Sequence, residues 1–392
     1  MSRPLTIAVI AGEVSGDLLG ADLIAALKRQ HDGPVSLIGV GGDGLEAEGL
    51  HSLFDFSELS IMGITQVLAK LPSLIRRIRQ TADAIIAARP DLLLIIDSPD
   101  FTHRVAKRVR KALPDLPVVN YVCPSVWAWK EYRATAMLGY VDHVLAILPF
   151  EPEVMGRLGG PPTSFVGHRL TVDADMLETR ARRAARAAAP DASGRRTVLI
   201  LPGSRGGEIR KLLPVFGQAA EEFVRRNGDT RLLLPTVPRQ EALVRAMVKD
   251  WSLPVEIAAG PAAKWQAFAE ADAALAASGT VILELGLAGI PVISAYKADW
   301  LIRLMHARIK AWSAALPNLI ADYVVVPEYF NEVVRPANLA RWLERLSTDT
   351  PERRAMLAGF DLVRDHMTTD RPPGAVAADI VLQVMADKSG RG

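Results

Sequence analysis

Uninterrupted apolar runs alternate along this chain with longer segments that have an amphipathic, helix-like spacing. In the first part of the chain the runs predict strands at 5–11, 35–40, 92–96, 118–122 and 144–148. The patterns between them predict helices at 18–28, 71–88 and 102–112. Strands that are apolar at nearly every position are typical of parallel sheets buried on both faces, and their alternation with helices indicates βαβ units.

The same alternation restarts after a polar stretch rich in Arg and Ala. The second set of predicted strands is 197–201, 231–234, 255–257, 272–276 and 292–295, and further helices are predicted at 177–189, 339–346 and 373–385. We therefore predict an α/β protein of two Rossmann-like, doubly wound domains that face a cleft. The predicted parts are an N-terminal domain at 1–168, a linker at 169–195, a C-terminal domain at 196–362 and a closing segment at 363–392 that packs back on the N-terminal domain.

Composition narrows the class of protein and its partners. The chain has 392 residues, 49% of them hydrophobic, with 46 basic and 44 acidic side chains. The formal charge of +2 gives no general attraction to nucleic acid, so we expect no nucleic-acid partner. The lone Cys123 cannot form an internal disulfide and fits a reducing compartment. The early first strand and the lack of a long apolar run predict neither a signal peptide nor a transmembrane helix, and hence a cytoplasmic protein.

The first predicted strand leads into an acidic, glycine-containing turn, Gly12-Glu-Val-Ser-Gly-Asp17. Its two glycines permit a sharp bend and the close approach of a ligand. A phosphate cradle favours bare N–H groups and often a lysine, whereas carboxylates favour hydroxyl groups or a cation. We therefore assign Glu13, Ser15 and Asp17 to the binding of a hydroxylated ligand. Capping of the following helix by Ser15 or Asp17 is the alternative.

The strand at 197–201 ends in a basic, glycine-rich loop. Gly203 allows backbone N–H groups to point at an anion, Ser204 adds a hydroxyl, and Arg205 adds a forked cation suited to phosphate. The alternative is a surface turn with a solvated arginine. Because ligands of open α/β sheets bind at loops that follow strands, we favour an anion site.

The strand at 272–276 is followed by Ser278, Gly279 and Thr280, which open a predicted helix. A helix N-terminus supplies free N–H groups and partial positive charge for a diphosphate. Glu284 lies about one turn into the helix and could accept hydrogen bonds from ribose hydroxyls. A simple Ser/Thr helix cap with an incidental glutamate is the alternative. The presence of both loops in one domain favours a nucleoside diphosphate site.

The strand at 92–96 runs directly into Asp97-Ser-Pro-Asp-Phe101. Partial burial at the end of an apolar strand makes a carboxylate a better proton acceptor, so Asp97 is our candidate general base for a sugar hydroxyl. We assign Asp100 to the N-cap of the following helix. The alternative gives Asp97 a capping role as well.

Three further strings are open to two interpretations each. Trp127 and Trp129 follow a strand, where aromatic faces can stack on sugars or hold acyl chains, or else pack in a core. His168 lies near the predicted domain junction, where a structural role and a ligand-binding role are equally acceptable. The string at 173–175 has a metal-binding D-x-D pattern, but capping of the helix after it explains it better. Since no Cys/His cluster accompanies it, we predict no metal and no cofactor.

Residues 61–79 mix apolar side chains with a cluster of cations that face few acids. This composition predicts an element that holds acyl chains and lies on an anionic membrane surface. Its predicted contact residues are Ile61, Met62, Ile64, Val67, Leu68, Arg76 and Arg77. The alternative is an ordinary amphipathic helix with its apolar face turned inward, which accounts for positions 71, 74, 75 and 78 but less well for the first three.

Nine short strings of the chain, in this order, resemble the lipid-A-disaccharide synthase family. They lie at 11–20, 62–65, 96–101, 124–129, 148–151, 166–168, 201–206, 278–284 and 316–320. The resemblance implies a GT-B fold and a metal-independent glycosyltransferase that inverts the anomeric carbon. Such an enzyme joins UDP-2,3-diacylglucosamine to 2,3-diacylglucosamine 1-phosphate (lipid X), giving lipid A disaccharide 1-phosphate and UDP.

The resemblance also implies roles for individual residues and for partners. Asp97 would remove the 6-hydroxyl proton of the acceptor, and Asn318 would contribute to the UDP site. Trp127 and His168 would join the acceptor side. The expected partners are UDP-diacylglucosamine, lipid X, an anionic inner-membrane surface on the cytoplasmic side, and a second copy of the chain in a homodimer. Departures from the family pattern fall at Gln66, Thr102, Arg169 and Asn331.

Two other functions stay open at this point. A UDP-sugar epimerase of the same fold would need no second lipid substrate, which would leave the element at 61–79 without a use. A non-catalytic binder of lipid or nucleotide would leave Asp97 without a role.

Overall fold

The computed structural model describes residues 3–59, 64–188, 195–298 and 309–390, with the backbone alone for 64–71 and 389. The strands are β1 (Leu5–Ala11), β2 (Val35–Val40), β3 (Leu92–Ile96), β4 (Val118–Tyr121), β5 (His143–Ala146), β6 (Thr163–Phe165), β7 (Arg196–Leu201), β8 (Thr230–Thr236), β9 (Val255–Ala259), β10 (Ala273–Ala277), β11 (Val292–Tyr296) and β12 (Glu328–Phe330). The α-helices are α1 (Val14–Gln30), α2 (Asp43–Ala47), α3 (Ile64–Ala88), α4 (Pro99–Ala112), α5 (Tyr132–Met137), α6 (Glu151–Arg157), α7 (Ala174–Ala188), α8 (Gly206–Asn227), α9 (Glu241–Val248), α10 (Pro261–Glu270), α11 (Thr280–Leu287), α12 (Leu316–Ala321), α13 (Pro336–Leu346), α14 (Pro351–Met367) and α15 (Pro373–Ser389).

The first sheet holds six parallel strands in the order β2-β1-β3-β4-β5-β6. Every residue of β3 is buried, because apolar clusters cover both faces of the sheet. β1 lies between β2 and β3, with Ala11 beside Ile96. The strand order therefore reverses between β1 and β3. At such a switch point the loops after the two strands diverge and leave a crevice at the carboxyl edge.

The second sheet repeats this arrangement with six parallel strands in the order β12-β11-β10-β7-β8-β9. Here β7 lies between β8 and β10, with Leu201 beside Ala276. The order reverses between β7 and β10, so that the loops after these strands flank the second crevice. The prediction of an α/β protein with two doubly wound, parallel sheets is confirmed.

The chain divides into two compact units, Met1–Arg169 with Thr369–Gly392 and Leu170–Thr368. In the first unit, helix α15 packs against α1. Ala377, Ala378 and Val381 share an apolar cluster with Leu23 and Leu27 of α1. Helix α7, in the stretch that we predict to be a linker, belongs to the second unit.

The sequence patterns miss two short strands and several helices, among them α8, α10 and α14. β6 and β12 have three residues each, none of them fully buried, so they are too short to show a run of buried apolar positions. Helix α14 buries one apolar side chain per turn, such as Met356, Phe360 and Val363, among many charged neighbours. That spacing is a weak signal for a helix.

Candidate functional site

A cavity of about 570 Å³ opens at the carboxyl ends of β7, β8 and β10 in the second unit. Seven residues that the sequence assigns to nucleotide binding line its wall. They are Gly203, Ser204, Arg205, Ser278, Gly279, Thr280 and Glu284. Two loops separated by more than seventy residues of sequence thus meet at the point where the strand order reverses.

The backbone after β7 has the geometry that an anion site needs. Gly203 has φ of +109°, and a Cβ atom there would lie 2.6 Å from Oε2 of Glu208. A glycine is required for both reasons. Helix α8 begins at the next turn, with Arg205 in its N-cap position, and α11 begins at Thr280. Neither N-terminus has a side-chain cap, and Arg205 and Thr280 both line the cavity, so backbone N–H groups without a capping side chain lie at its wall.

Both cations in the described lining of the cavity are paired with a carboxylate. Arg205 Nη1 lies 2.9 Å from Glu208 Oε1, and the Arg205 side chain is 66% exposed. Lys264 Nζ donates to Glu284 Oε2 at 2.8 Å and lies 4.1 Å from the centre of the Trp265 ring. The lining therefore holds two ion pairs, and an entering polyanion could replace the carboxylate as the partner of each cation.

Sequence reasoning misses Lys264 and Thr236, which also line the cavity. Thr236 ends β8, and its buried Oγ1 has no hydrogen-bond partner within the described part of the chain. Lys264 lies in the first turn of α10, just after β9. Thr236 could have been found from the sequence, because it is a polar residue at the end of a buried strand. Lys264 gives no such signal, because it follows β9 by five residues and β9 is only partly buried.

The structure does not bring Asn318 into this cavity. Asn318 is fully buried, and its Oδ1 accepts from the backbone N–H groups of Val325 and Val326 at 2.9 and 2.7 Å. Its Nδ2 donates to the carbonyl oxygen of Val326 and to Ser313. Every polar atom of this side chain is engaged in holding the segment after α12, so Asn318 has a structural role here.

In the first unit, the Asp97 turn touches the first glycine loop. Asp97 and Ser98 both have positive φ, +52° and +47°, which is uncommon for residues with side chains. Asp97 is half-buried, and its Oδ1 accepts from the backbone N–H of Ser98 at 2.7 Å. A Cβ atom on Gly16 would lie 3.6 Å from the Asp97 Cβ. The predicted neighbours, the acidic loop and Asp97, therefore meet at the switch point of this sheet.

The predicted cap of α4 is wrong. Helix α4 begins at Pro99 with Ser98 in the N-cap position, which places Asp100 inside the first turn. The Asp100 side chain is 84% exposed and lies 3.9 Å from Arg133. The carbonyl oxygens of Asp97 and Ser98 accept from the hydroxyl of Thr102, one of the departures from the family pattern.

Asp17 has a different role from the predicted one. It is 4% exposed, and its carboxylate accepts from the backbone N–H groups of Gly42, Gly44 and Leu45 at 2.7 to 3.2 Å. These groups are the unsatisfied donors at the start of α2, so Asp17 caps that helix from a distance of 25 residues or more. Glu13 and Ser15 are exposed, and they alone of the three remain accessible to a ligand.

Trp127 is positioned by a buried glutamate that sequence reasoning overlooks. Trp127 Nε1 donates to Glu151 Oε1 at 3.2 Å, and the indole packs edge-on against Phe150. Burial raises the pKa of Glu151 to about 8, although the backbone N–H of Leu148 also donates to it. The nearby Cys123 is buried, and burial raises the pKa of its thiol, as suits a small core residue.

His168 lies at the end of the first unit, next to Arg169. Burial, with a smaller effect of the Arg169 charge, lowers the pKa of His168 to about 4. Its imidazole is therefore neutral at pH 7. A neutral ring can accept or donate one hydrogen bond at each nitrogen, and the side chain has a partner in the structure.

The predicted membrane element is described only in part. Ile61 and Met62 lie outside the described residues, and for Ile64, Val67 and Leu68 only the helical backbone of α3 is described. Arg76 is exposed, whereas Arg77 donates to Glu58 at 3.0 Å and lies over the Phe54 ring. Arg77 is thus held within the unit by a carboxylate and a ring.

No helix in the described ranges is long and apolar enough to cross a membrane. No group of three or more His, Cys, Asp or Glu side chains in these ranges could hold a metal ion. Asp173 Oδ1 accepts from the backbone N–H of Met176 at 3.2 Å, at the start of α7. The capping interpretation of the D-x-D string is therefore confirmed for its first aspartate.

Solved structures with the same overall fold include nucleotide-sugar enzymes. The glycosyltransferase of kitacinnamycin matches with a TM-score of 0.62 and 15% identity, over 98% of this chain and all of that one. The UDP-GlcNAc 2-epimerase from Neisseria meningitidis bound to UDP-GlcNAc matches with a TM-score of 0.58 and 13% identity, over 98% of this chain and all of that one. At such identities these likenesses show the GT-B fold alone.

Sequence relatives are far more similar. The lipid-A-disaccharide synthase of Rhodopseudomonas palustris (strain HaA2) is 48% identical over 96% of this chain and 95% of its own length. The family model described as lipid-A-disaccharide synthetase matches residues 7–361. The epimerase alternative has only the fold in its favour. The chain belongs to the lipid-A-disaccharide synthetase family and is a glycosyltransferase of lipid A biosynthesis.

Proposed function

We propose that the cavity of the second unit binds the UDP part of a UDP-2,3-diacylglucosamine donor and that Asp97 of the first unit is the general base for lipid X as acceptor. The observation that carries the donor assignment is the convergence of strand-end loops on one cavity of about 570 Å³. A site of this size accommodates a nucleoside diphosphate. The polar groups in its wall are those that a diphosphate and a ribose require.

The cavity offers two cations and two helix N-termini to the diphosphate. Arg205 and Lys264 each hold a single carboxylate in the structure, and a diphosphate carries more charge than either carboxylate. We infer that both cations turn to the phosphates when the donor binds, which leaves Glu284 to accept ribose hydroxyls. These fixed charges stabilise the negative charge that develops on UDP as it leaves. They support a reaction without a metal or cofactor.

The proposed step is a single displacement. The 6-hydroxyl oxygen of lipid X attacks C1 of the donor sugar and forms the new C–O bond. The bond from C1 to the β-phosphate oxygen breaks, and its electron pair leaves with UDP. The hydroxyl proton passes to the carboxylate of Asp97. Attack from the side opposite the leaving group inverts C1 and gives the β-1,6 disaccharide 1-phosphate.

The acceptor side is proposed from the residues that meet the Asp97 turn. Glu13 and Ser15 are exposed in the loop that packs against it, and they can bind sugar hydroxyls. Trp127, held by Glu151, offers an aromatic face to the sugar or its acyl chains. We assign His168 to a neutral hydrogen-bonding role, in agreement with its lowered pKa.

The membrane assignment rests on the sequence at 61–79 and on two described side chains, Arg76 and Ile75, which are both exposed. An exposed cation beside an exposed apolar side chain suits peripheral binding to the anionic, cytoplasmic face of the inner membrane. We also expect a homodimer and no nucleic-acid partner. Binding to anionic but not to neutral vesicles would support the membrane assignment, and equal binding to both would contradict it.

The function is tested with Asp97→Asn and the matched control Asp100→Asn, an exposed carboxylate three residues away. We expect kcat of Asp97→Asn to fall by roughly a hundredfold to ten-thousandfold, the range for loss of a general base, with UDP affinity retained. Asp100→Asn should keep both. Product mass identifies the coupled lipids. Near-normal turnover of Asp97→Asn would contradict the base assignment, and UDP release without lipid X would contradict the transferase reaction.

A further inference from the structure

A second cavity, of about 380 Å³, lies at the opposite edge of the second sheet. It is lined at the beginnings of β7 and β10, whereas the proposed UDP cavity lies at their ends. The six residues of β7 separate the two edges by roughly 17 Å at a rise of about 3.3 Å per residue. The second cavity is therefore not part of the proposed active site.

Five arginines surround this cavity. The described lining contains one carboxylate, that of Asp272. Two arginines come from α7, two precede or begin β7, and one comes from α14. They are Arg183, Arg186, Arg195, Arg196 and Arg353.

The inner guanidinium groups satisfy helix C-termini. Arg183 donates to the carbonyl oxygens of Phe268 and Ala271 at the end of α10, at 3.1 and 2.5 Å, and to that of Gly289 just after α11. Arg353 donates to the carbonyl oxygen of Leu346 at the end of α13. These bonds hold both guanidinium groups, which are partly buried. The bonds satisfy the N–H groups of the two arginines. The carbonyl groups are neutral, however, and do not cancel the positive charge of a guanidinium.

Asp272 is the main counter-charge inside the cavity. Both of its carboxylate oxygens accept hydrogen bonds from Nη2 of Arg186, at 2.8 and 3.0 Å. Arg195 pairs at the rim with Asp229, 2.9 Å away. Arg196 donates to the neutral amide of Asn227 at 2.6 Å.

These charges do not balance. Each helix C-terminus contributes about −0.5 charge, and three of them converge here. Together with the carboxylates of Asp272 and Asp229, they offset only part of the charge of the five arginines. About one to two units of positive charge remain around the described lining. Burial, followed by the charges of Arg353 and Arg186, lowers the pKa of Arg183 to about 9. The positive excess reflects crowded cations that an anion would relieve.

We propose that this cavity binds a phosphoryl anion, either free phosphate or a phosphate ester. The planar forks of several arginines match the oxygens of a phosphate, and its one to two negative charges match the excess of the cavity. Bound there, the anion joins α7 to β7 and to the start of α14, and so stabilises the second unit from the edge remote from the UDP cavity.

The variants are Arg196→Gln and Arg353→Gln. Arg196 is the safer choice for folding, because its described side-chain hydrogen bond goes to the amide of Asn227, whereas Arg353 also caps α13. The matched control is Arg182→Gln, which removes an exposed arginine of α7 that pairs with Glu178 outside the cavity. All proteins are tested as full chains, with saturating UDP to occupy the other cavity.

Thermal unfolding is measured in inorganic phosphate at pH 8 and in sodium chloride of equal ionic strength. We expect phosphate to raise the Tm of the parent and of Arg182→Gln more than chloride does. The phosphate affinity of Arg196→Gln should be weaker by about tenfold, as for the loss of one charge-assisted hydrogen bond. Because the variants are compared at equal UDP, this difference does not depend on the UDP assignment.

A second arm identifies the source of the phosphate. Flotation with phosphatidate vesicles that is reduced in Arg196→Gln but not in Arg182→Gln supports the site with a lipid headgroup as ligand. Unchanged flotation with weakened phosphate binding supports it with a soluble phosphate. The proposal is overturned if phosphate gives the parent no more stabilisation than chloride, or if Arg196→Gln and Arg353→Gln respond to phosphate as Arg182→Gln does.

Discussion

A Cβ atom on Gly12 would lie 2.1 Å from the Cβ of Ser98, so the first glycine loop and the turn that carries Asp97 meet without room for a side chain. Ser98 itself has a φ of +47°. The position of Asp97 thus depends on a glycine 85 residues earlier in the chain. This contact connects the acidic loop at 12–17 with the proposed base.

Gly12→Ala should displace the Asp97 turn. We expect kcat to fall by roughly a hundredfold, the effect of a shift of about 1 Å at a reacting group, with UDP affinity unchanged. Gly139→Ala is the matched control, because a Cβ atom there meets nothing within 4 Å. The double variant Gly12→Ala/Ser98→Gly should recover part of the rate. Full activity of Gly12→Ala would show that the contact does not position the base.

Lys264 should contribute directly to UDP affinity. Lys264→Gln removes one of the two cations of the cavity and should weaken UDP binding by about tenfold, measured by calorimetry at low salt. Lys249→Gln, an exposed lysine that does not line the cavity, is the control. An unchanged dissociation constant for Lys264→Gln would mean that the lysine serves only to orient Glu284.

Asn318 should matter for stability and not for UDP binding. Asn318→Ala leaves the buried N–H groups of Val325 and Val326 without an acceptor, at a cost of about 2–4 kcal/mol in the free energy of unfolding. The exposed Asn338→Ala should be neutral. Denaturant unfolding and UDP titration on the folded variant separate the two roles. Loss of UDP affinity at unchanged stability would instead support the role that the family resemblance implies.

Glu151 should make stability depend on pH. Burial raises its pKa to about 8 in the folded chain, above the ordinary 4.5 of the unfolded chain. The unfolded state therefore releases its proton first, and the parent loses stability as pH rises from about 4.5 to 8. Glu151→Gln removes this loss, so its stability relative to the parent should rise across that window, by of order 1–4 kcal/mol.

The control for this pH dependence is Glu153→Gln, an exposed glutamate of the same helix. Its unfolding free energy should follow that of the parent at every pH. A constant difference between Glu151→Gln and the parent from pH 5 to 8 would contradict the raised pKa.

The sequence determined the two doubly wound sheets, because buried parallel strands are apolar at every position and this pattern is local. The predicted strands at 5–11, 35–40 and 92–96 coincide with β1, β2 and β3. The loops at Gly203 and Ser278 could be found in the same way, because each follows a buried strand. Their meeting in one cavity follows from the strand order, which places β7 beside β10.

Only the tertiary structure decided which polar side chains are left for a ligand. Aspartate and asparagine often bind ligands, but the side-chain oxygens of Asp17 and Asn318 accept hydrogen bonds from buried backbone N–H groups of distant or adjoining segments. Glu151 and Lys264 gave no strong signal, because their significance lies in partners that the chain brings near only on folding. A hydrophobic pattern can be read from consecutive residues, whereas the hydrogen-bond partner of a polar atom depends on contacts between residues far apart in sequence.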